Sequence, residues 1–389
     1  MSIPRSENSM KWHEYVSANP GTIGGNYLRK FWQPVALSSE VEIGKAKPIQ
    51  IMGEMFTLYR GESGNPYVVS FRCAHRRTQL STGWVRGDAI QCMYHGWTYD
   101  GNGTCIHRPA EKNSGAFKQA NILGYPTKEY LGLIYTYFGQ DDPPSFPPFE
   151  GYKEKGVIEN HVIDFPANWF QAQENHFDEV HVAFTHSFGG SHDNLGRSSY
   201  ELPEMKIYET DYGMIRETRV EGDKWRKTLY FGPNLMRILI PTFAELNEFG
   251  GWRDTHIILV PTDDENHRLY LTQNVHIPEE DMDGWRDTHL RFNARVAAAR
   301  PVAEIVAEIL AGKSHITDYL DHPHLLILED IITQRGQGTL TDRSEELLGR
   351  SDVGVANMRK VFLREMDAVA QGQPTKEWVY RGEEPALGF

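Results

Sequence analysis

Cysteine is scarce in this chain, with three among 389 residues. So few thiols cannot build the disulfide framework that staples many small secreted domains. Long apolar runs are also missing: the first residues lack an apolar core of signal-peptide length, and no run approaches the roughly 20 residues that cross a bilayer. We therefore expect a cytoplasmic protein that does not partner a membrane.

Positive charge is also in short supply. The chain has 40 Lys and Arg against 53 Asp and Glu, a formal net charge of −13. Because phosphate binding requires clustered Lys and Arg, we expect no nucleic-acid partner. The stretch Gly101-Asn-Gly103 lacks the third glycine and the strand-to-helix setting of a dinucleotide site, so no bound nicotinamide dinucleotide is predicted.

The length and the local pattern predict two domains and an α+β fold. At 389 residues the chain exceeds the roughly 250–300 residues at which single cores stop growing. Residues 1–40 form a lead-in in which Tyr27–Leu37 suggests a short helix broken by Pro34. Residues 41–150 alternate β-branched and aromatic runs with Gly and Pro turns, which predicts a small all-β domain. Residues 151–389 mix helical and strand patterns.

The most informative motif is a pair of cysteine–histidine segments, Cys73-Ala-His75 and Cys92-Met-Tyr-His95, separated by 16 residues. Two thiolates and two imidazoles are the ligands of a [2Fe–2S] centre of the Rieske type. The same four side chains also suit a tetrahedral zinc site. Side-chain chemistry alone does not separate these two readings. The third cysteine, Cys105, is left over.

A second group of candidate ligands lies on a helical stretch that ends at His186. On an ideal helix Asn175, Asp178 and His181 share one face. His186 would lie about 140° from His181, so the helix must end or bulge between them if both bind one ion. Two histidines and one carboxylate with open positions are the ligands of an O₂-activating Fe(II). Asp178 is placed to accept the other N–H of a metal-bound His181.

The carboxylate ligand must come from another element. Glu329 and Asp330 stand in the middle of an apolar helical segment, Leu326-Ile-Leu-Glu-Asp-Ile-Ile332. Buried carboxylates are costly unless they are paired or metal-bound. Either acid could be the ligand, and either could be a solvated acid at a helix end, so periodicity leaves the choice open.

With these motifs in view, the chain resembles the catalytic α subunit of the Rieske non-haem iron oxygenases from about Tyr27 to about Phe362. The turns around both cysteine–histidine segments and the His95-Gly-Trp97 sequence are similar to the family's two-loop cluster domain. The resemblance implies a [2Fe–2S] cluster held by Cys73, His75, Cys92 and His95. The segment from Asp330 to Gln334 resembles the phthalate dioxygenase and aryl O-demethylase branch, which implies Fe(II) held by His181, His186 and Asp330.

The resemblance also implies an architecture and an assembly. The second domain would be a curved antiparallel sheet around helices, a helix-grip-like fold. Subunits would form a homotrimer or larger homo-oligomer in which the cluster of one subunit faces the iron of the next. In that arrangement Asp178 would bridge His95 of one subunit and His181 of its neighbour. One departure is Arg77, which follows Arg76 where a small residue is common and which bears on the surface for a reductase.

The function implied is that of a terminal oxygenase component. A separate NADH-dependent reductase, with or without a ferredoxin, would supply electrons for hydroxylation or O-demethylation of an aromatic, carboxylated substrate with O₂. The alternative outcome is cis-dihydroxylation of a ring. A rival from another class is a Rieske electron carrier, which would need only residues 41–140, and a further rival is a zinc-stabilised interaction protein.

Substrate-lining residues are the least constrained part of the prediction. Asn175, Phe170 and the Gly189-Gly190 loop are candidates because they lie close in sequence to the iron histidines. For Phe170, bulk packing in the core is the favoured interpretation.

Overall fold

The computed structural model describes residues 7–111, 120–146, 156–186, 202–221, 224–241, 252–275 and 277–378. Contacts within the chain group it into two compact units. The small unit comprises Ser17–Pro148 with Val260–Asp263, and the large unit comprises Met1–Val16, Phe149–Leu259 and Asp264–Phe389. The domain boundaries at residues 40 and 150 stay predictions from the sequence. None of the helices in the described ranges is long and apolar enough to cross a bilayer.

The lead-in differs from its predicted structure. Helix α1 (Glu7–Val16) belongs to the large unit and helix α2 (Ile23–Leu28) to the small unit. The helix predicted over Tyr27–Leu37 is wrong, because the chain leaves α2 and enters strand β1 (Trp32–Leu37). Pro34 lies in β1, an edge strand, beside an irregularity in its pairing. Edge strands and bulges tolerate proline, since its missing N–H breaks no ladder there.

The rest of the small unit is built from short strands, as the alternation of apolar runs and turns predicts. These are β2 (Ala46–Ile51), β3 (Glu54–Arg60), β4 (Pro66–Ser70), β5 (Trp84–Arg86), β6 (Ala89–Gln91), β7 (Thr98–Tyr99), β8 (Cys105–His107), β9 (Gly124–Tyr125), β10 (Thr127–Tyr130) and β11 (Leu133–Tyr137). Within the described ranges they form the antiparallel sheets β1-β11-β10, β2-β3-β4-β9 and β5-β6-β7-β8. The predicted small all-β unit is confirmed.

The large unit pairs an antiparallel sheet with helices, so the predicted α+β class is also confirmed. Its strands are β12 (Val157–Phe165), β13 (Met205–Glu209), β14 (Met214–Glu221), β15 (Lys224–Phe231), β16 (Leu235–Pro241), β17 (Trp252–Pro261) and β18 (His267–Val275). Its later helices are α3 (Trp169–Phe177), α4 (Val180–Thr185), α5 (Met282–Ala298), α6 (Val302–Leu310), α7 (Leu325–Gly336) and α8 (Val353–Ala370). The strand order is β12-β18-β17-β16-β15-β14-β13.

The core of the large unit fixes α7 in place. Leu328 and Ile331 of α7 are fully buried against Ile305 of α6 and against Leu259 and Leu269 of the sheet. Burying each such side chain stabilises the fold by about 1.5–3 kcal/mol. The same helix packs against α3 and α4. Packing of one apolar face thus brings the other residues of α7 close to the histidine-bearing helices.

Candidate metal centres

The first centre lies at two loops of the small unit. Cys73 follows β4 and Cys92 follows β6, and both thiols are buried in the core of the unit. The two histidines lie nearer the surface, His75 exposed and His95 partly buried. Their ring centroids are 4.5 Å apart. The structure therefore brings together the four side chains that the motif predicts, with the sulfur ligands inside and the imidazoles outside.

The environment of the two cysteines suits thiolate ligands. The Tyr99 hydroxyl lies 3.1 Å from the Cys73 sulfur and accepts the N–H of Ala74 at 3.1 Å, which leaves its own proton to donate to the sulfur. Burial raises the pKa of Cys92, as does the charge of the neighbouring Cys73, while the N–H of Tyr94 opposes the shift. Two thiolates held together in an apolar core are unfavourable without a cation. A metal cluster that takes both as thiolates removes that conflict.

Two neighbours of this centre were missed from the sequence. Trp97 stacks on His75 with ring centroids 4.7 Å apart and planes 5° from parallel, which fixes the plane of that imidazole. Tyr99 is the second, through its hydroxyl at Cys73. Trp97 had a signal, because it completes the His-Gly-Trp sequence. Tyr99 had none, since a tyrosine in a short strand is ordinarily a core residue.

The second centre lies between α4 and α7 of the large unit. His181 is on α4, His186 follows its last residue, and Asp330 is on α7. One ligand atom from each lies within 4.8 Å of the others. The Asp330 carboxylate is 3.8 Å from His181 Nε2 and 3.3 Å from His186 Nε2. Ligands at right angles and about 2.1 Å from one ion lie about 3 Å apart, so the two carboxylate–imidazole distances are slightly longer than those of an occupied 2-His-1-carboxylate site.

The helix that carries these histidines is broken, which corrects the continuous helix predicted from the sequence. Helix α3 ends at Phe177, and Asp178 has an extended backbone with ψ of 116°. The Asp178 carboxylate accepts the N–H of Val180 at 2.8 Å and so caps the start of α4. Helix α4 ends at Thr185, so the predicted end of the helix before His186 is confirmed. The break and the helix end let both histidines reach one point.

The Nδ1 atoms of His181 and His186, which face away from the candidate ion position, have different hydrogen-bond partners. His181 Nδ1 donates to the main-chain carbonyl of Asp178 at 2.6 Å, so within one chain this carbonyl, and not the predicted Asp178 carboxylate, accepts the proton. The physical reason is that the carboxylate is engaged at the helix start. His186 Nδ1 donates to Glu329 at 3.0 Å. Both contacts leave Nε2 to face an ion, which is how outer partners orient ligand histidines.

Glu329 and Asp330, the two adjacent acids of α7, therefore contact different nitrogens of the imidazoles. Asp330 faces both histidine Nε2 atoms, whereas Glu329 is 4% exposed and contacts the other nitrogen of His186. This geometry favours Asp330 over Glu329 as the ligand. Asn175 also reaches the centre, since its amide lies 3.0 Å from the Asp330 carboxylate and 3.3 Å from His181 Nε2.

Phe170 lies elsewhere in the core. It is fully buried, and its ring packs near Trp12 and Phe362 with the guanidinium of Arg343 5.2 Å from its centroid. These contacts favour packing as its role. Asn175 is the substrate-lining candidate that lies beside the iron residues. The Gly189-Gly190 loop lies outside the described residues.

The Asp330 and Glu329 carboxylates dominate the electrostatics of this centre. Burial alone would lower the pKa of His186, but hydrogen bonds to Asp330 and Glu329 outweigh it and raise the pKa to about 9. Burial raises the pKa of Asp330, yet the contact with His186 prevails and holds it below its usual value. Burial lowers the pKa of His181. Asp330 and His181 are thus in the forms that ligate a metal, and His186 would release its proton when an ion takes Nε2.

Comparison with known proteins identifies the family. Residues 31–128 match the family model described as the Rieske [2Fe-2S] domain. The chain is 30% identical over 379 residues to phenoxybenzoate dioxygenase subunit alpha of Ectopseudomonas oleovorans. The match covers 90% of this chain and 84% of that one. It is 29% identical over 377 residues to the 5,5'-dehydrodivanillate O-demethylase oxygenase subunit of Sphingobium sp., covering 92% of this chain and 80% of that one.

Solved structures agree on the fold. The structure of a Pseudomonas putida CBB5 NdmA QL mutant with caffeine has a TM-score of 0.68 and 18% sequence identity, and the match covers 94% of this chain and 100% of that chain. The likeness in fold therefore extends over both units, and the likeness in sequence to the curated relatives covers the same length. The chain belongs to the Rieske non-haem iron oxygenases, as a catalytic α subunit whose cofactors are a [2Fe–2S] cluster and Fe(II).

Proposed function

We propose that this oxygenase subunit receives electrons from a separate NADH-dependent reductase and O-demethylates or hydroxylates an aromatic carboxylate. In this proposal Cys73, His75, Cys92 and His95 hold the cluster, and His181, His186 and Asp330 hold Fe(II). The observation that carries it is the convergence of two imidazoles and one carboxylate within 4.8 Å. Three protein ligands leave coordination positions for O₂ beside a substrate.

The protein residues orient the ligands. When bound, the cluster supplies single electrons and the Fe(II) supplies O₂ activation. The Asp178 carbonyl holds the Nδ1 proton of His181, and Glu329 holds that of His186, so both rings present Nε2. The Asn175 amide donates to Asp330 at 3.0 Å and restrains the carboxylate. These contacts fix the geometry before any substrate arrives.

The substrate class is supported by the names of the relatives. One relative is named for O-demethylation of dehydrodivanillate and another for dioxygenation of phenoxybenzoate, both aromatic acids. O-demethylation would convert an aryl methyl ether, O₂, NADH and a proton to a phenol, formaldehyde, water and NAD⁺. The competing outcome is cis-dihydroxylation, in which both oxygen atoms enter the ring. The motifs are shared by both reactions.

The two outcomes are distinguished by their products. The holoenzyme is incubated with NADH, a surrogate reductase and a panel of methoxylated aromatic acids alongside their unmethylated parents. Release of about one formaldehyde per NADH from the methoxylated acids supports O-demethylation. A dihydrodiol from the parent acids, with no formaldehyde from the methoxylated ones, supports dioxygenation. Oxidation of NADH with neither product at any substrate contradicts the aromatic assignment.

Assembly is the remaining part of the proposal. We propose a homotrimer or larger ring in which Asp178 links two centres, through its main-chain carbonyl to His181 and through its carboxylate to His95 of a neighbouring subunit. The Asp178 carboxylate that caps α4 through Val180 is an acceptor for such a contact.

Asp178→Asn keeps the cap and removes the charge. It should leave both metal contents unchanged and slow reoxidation of the reduced cluster by O₂ with substrate by roughly 10–100-fold. Reoxidation at the wild-type rate in a single turnover would limit Asp178 to capping.

A further inference from the structure

The second cluster loop, Cys92 to Trp97, makes a tight turn that is closed by two main-chain hydrogen bonds. Cys92 donates its N–H to the carbonyl of Trp97 at 2.8 Å, and its own carbonyl accepts the N–H of Gly96 at 3.0 Å. Gly96 has φ of +72°, in the left-handed region that glycine adopts without strain. The loop therefore places a glycine where the turn needs one.

The first cluster loop repeats this geometry without the glycine. Cys73 donates to the carbonyl of Thr78 at 2.9 Å, and its carbonyl accepts the N–H of Arg77 at 3.1 Å. Arg77 thus occupies the place of Gly96, with φ of +62°. A side chain there is strained, since the β-carbon crowds the backbone in the left-handed region. The turn itself gives no reason for arginine at this position.

Arg77 lines a groove of the small unit that encloses about 760 Å³. Its lining mixes polar and apolar surface, in which Phe56 is buried and Met55 and Leu123 are exposed apolar side chains. Arg72 and Arg77 supply its positive charge, and both are exposed. The other residues that line the groove are Glu54, Ser70, Phe71, Ala74, Asn121, Ile122 and Tyr125.

The groove carries net positive charge on a chain of charge −13. Glu54, the acid among its lining residues, is paired with Arg29 at 2.8 Å. Arg72 donates to the carbonyl of Arg77 at 3.0 Å, which joins the two basic residues into one rim. Exposed apolar side chains beside like charges are typical of a protein-interaction site, and local charge steers an oppositely charged partner to it.

The groove also lies directly beside the cluster. Arg72 and Ala74, which line it, are the chain neighbours of Cys73. A protein seated in the groove therefore contacts the loop that carries a cluster ligand. Charge and position favour a redox protein as the occupant.

We propose that this groove, the Arg77 groove, docks an acidic surface of the protein that donates electrons to the cluster, and that Arg77 is its main charged contact. The proposal rests on the proposed function, in which electrons come from a separate protein. One electron leaves the reduced donor and one enters the cluster, with no bond made or broken.

The test uses Arg77→Gly in the full-length holoenzyme, with a plant-type [2Fe–2S] ferredoxin as the acidic donor. Its low potential makes electron transfer to a Rieske cluster favourable. The glycine relieves the left-handed strain, so the thermal midpoint should stay unchanged or rise. The Kd for oxidised ferredoxin at low salt should rise roughly tenfold, as expected for loss of one charge-assisted contact. The salt dependence of binding should become shallower, while reduction of the cluster by photoreduced deazaflavin stays at the wild-type rate.

Two further variants separate charge from structure. Arg77→Lys keeps the charge and the strain, and should retain most of the ferredoxin affinity. Arg86→Ala removes one exposed positive charge from the same unit outside the groove, and should leave the Kd unchanged. Equal Kd values for Arg77→Gly and wild type would overturn the proposal, as would equal weakening by Arg77→Gly and Arg86→Ala.

Other outcomes also decide against it. A lower thermal midpoint or loss of cluster absorbance in Arg77→Gly would make the residue structural. Dissociation of the oligomer in that variant, seen by light scattering, would make the groove a contact between copies of this chain. Failure of wild-type protein to bind ferredoxin would overturn the docking site alone. The proposed function would then still stand or fall on its products, which are measured with a reductase and without reference to the groove.

Discussion

The two metal centres of this protein are built in opposite ways. The cluster ligands come from two short loops whose cysteine–histidine segments are 16 residues apart, and their histidines lie near the surface. The iron ligands come from helices distant in the chain, and residues that meet there, such as Asn175 and Asp330, are 155 positions apart. The first centre is thus set by local turns, and the second by the packing of α7 on α3 and α4. Damage to one should spare the other.

The largest effect should follow Asp330→Ala, which removes the carboxylate of the packed centre. Turnover should be abolished, because iron affinity should fall by more than the roughly 10–100-fold that loss of an outer partner costs. The visible spectrum of the cluster should stay unchanged, since its ligands lie in other elements. Iron analysis with absorbance measures both. Retention of iron by this variant, with loss of iron in Glu329→Ala, would make Glu329 the iron ligand in place of Asp330.

The reciprocal change is Cys92→Ser. It should bleach the visible absorbance of the small unit, because a serine hydroxyl does not replace a thiolate ligand of iron. The large unit should still bind about one Fe(II) per chain. Cys105→Ser is the matched control, because Cys105 lies outside the two loops and should leave the spectrum intact. A full spectrum in Cys92→Ser would remove Cys92 from the ligands.

A smaller effect is expected from Glu329→Gln. The amide retains the shape of the side chain but accepts the Nδ1 proton of His186 less strongly than the carboxylate does. Iron affinity should fall by roughly 10–100-fold, less than in Asp330→Ala, and added Fe(II) should restore turnover. Titration with Fe(II) under anaerobic conditions measures the difference. Equal losses in the two variants would mean that the two acids share one role.

The smallest effect concerns acid stability of the large unit. Glu209 of β13 is paired with Arg364 of α8 and with Lys376, each at 2.8 Å, and the hydrogen bond from Arg364 is the main cause of a pKa lowered to about 2. Because the folded pKa is depressed, the stabilisation is full above pH 4.5 and is lost as pH falls towards 2. Glu209→Gln should remove a pH dependence worth on the order of 1 kcal/mol after solvent screening. Denaturant unfolding at pH 6 and pH 3 checks it, and an unchanged pH dependence would contradict the pairing.

The comparison of the centres also explains what the sequence could reveal. Cys73, His75, Cys92 and His95 form spaced motifs that are visible in one dimension, because each loop positions its own ligands. His181 and His186 were identifiable for the same reason. The break at Asp178 was not, because it depends on a side chain that caps the following helix instead of continuing the preceding one.

Choices that depend on packing were harder. Periodicity could not separate Glu329 from Asp330, because only the position of α7 against α4 shows which acid faces the histidine Nε2 atoms. Pro34 was misread for a related reason. An edge strand with an irregular pairing accepts a proline that would otherwise signal the end of a helix. In both cases the deciding neighbour lies far along the chain.

The most direct test of the central claim is the metal content of the purified holoenzyme, measured together with its visible spectrum. Two separate centres predict a brown protein with about three irons and about two acid-labile sulfides per chain. Asp330→Ala should then have about two irons and an unchanged spectrum. Two irons in the wild-type protein even after anaerobic addition of Fe(II), or zinc in place of iron, would contradict the account.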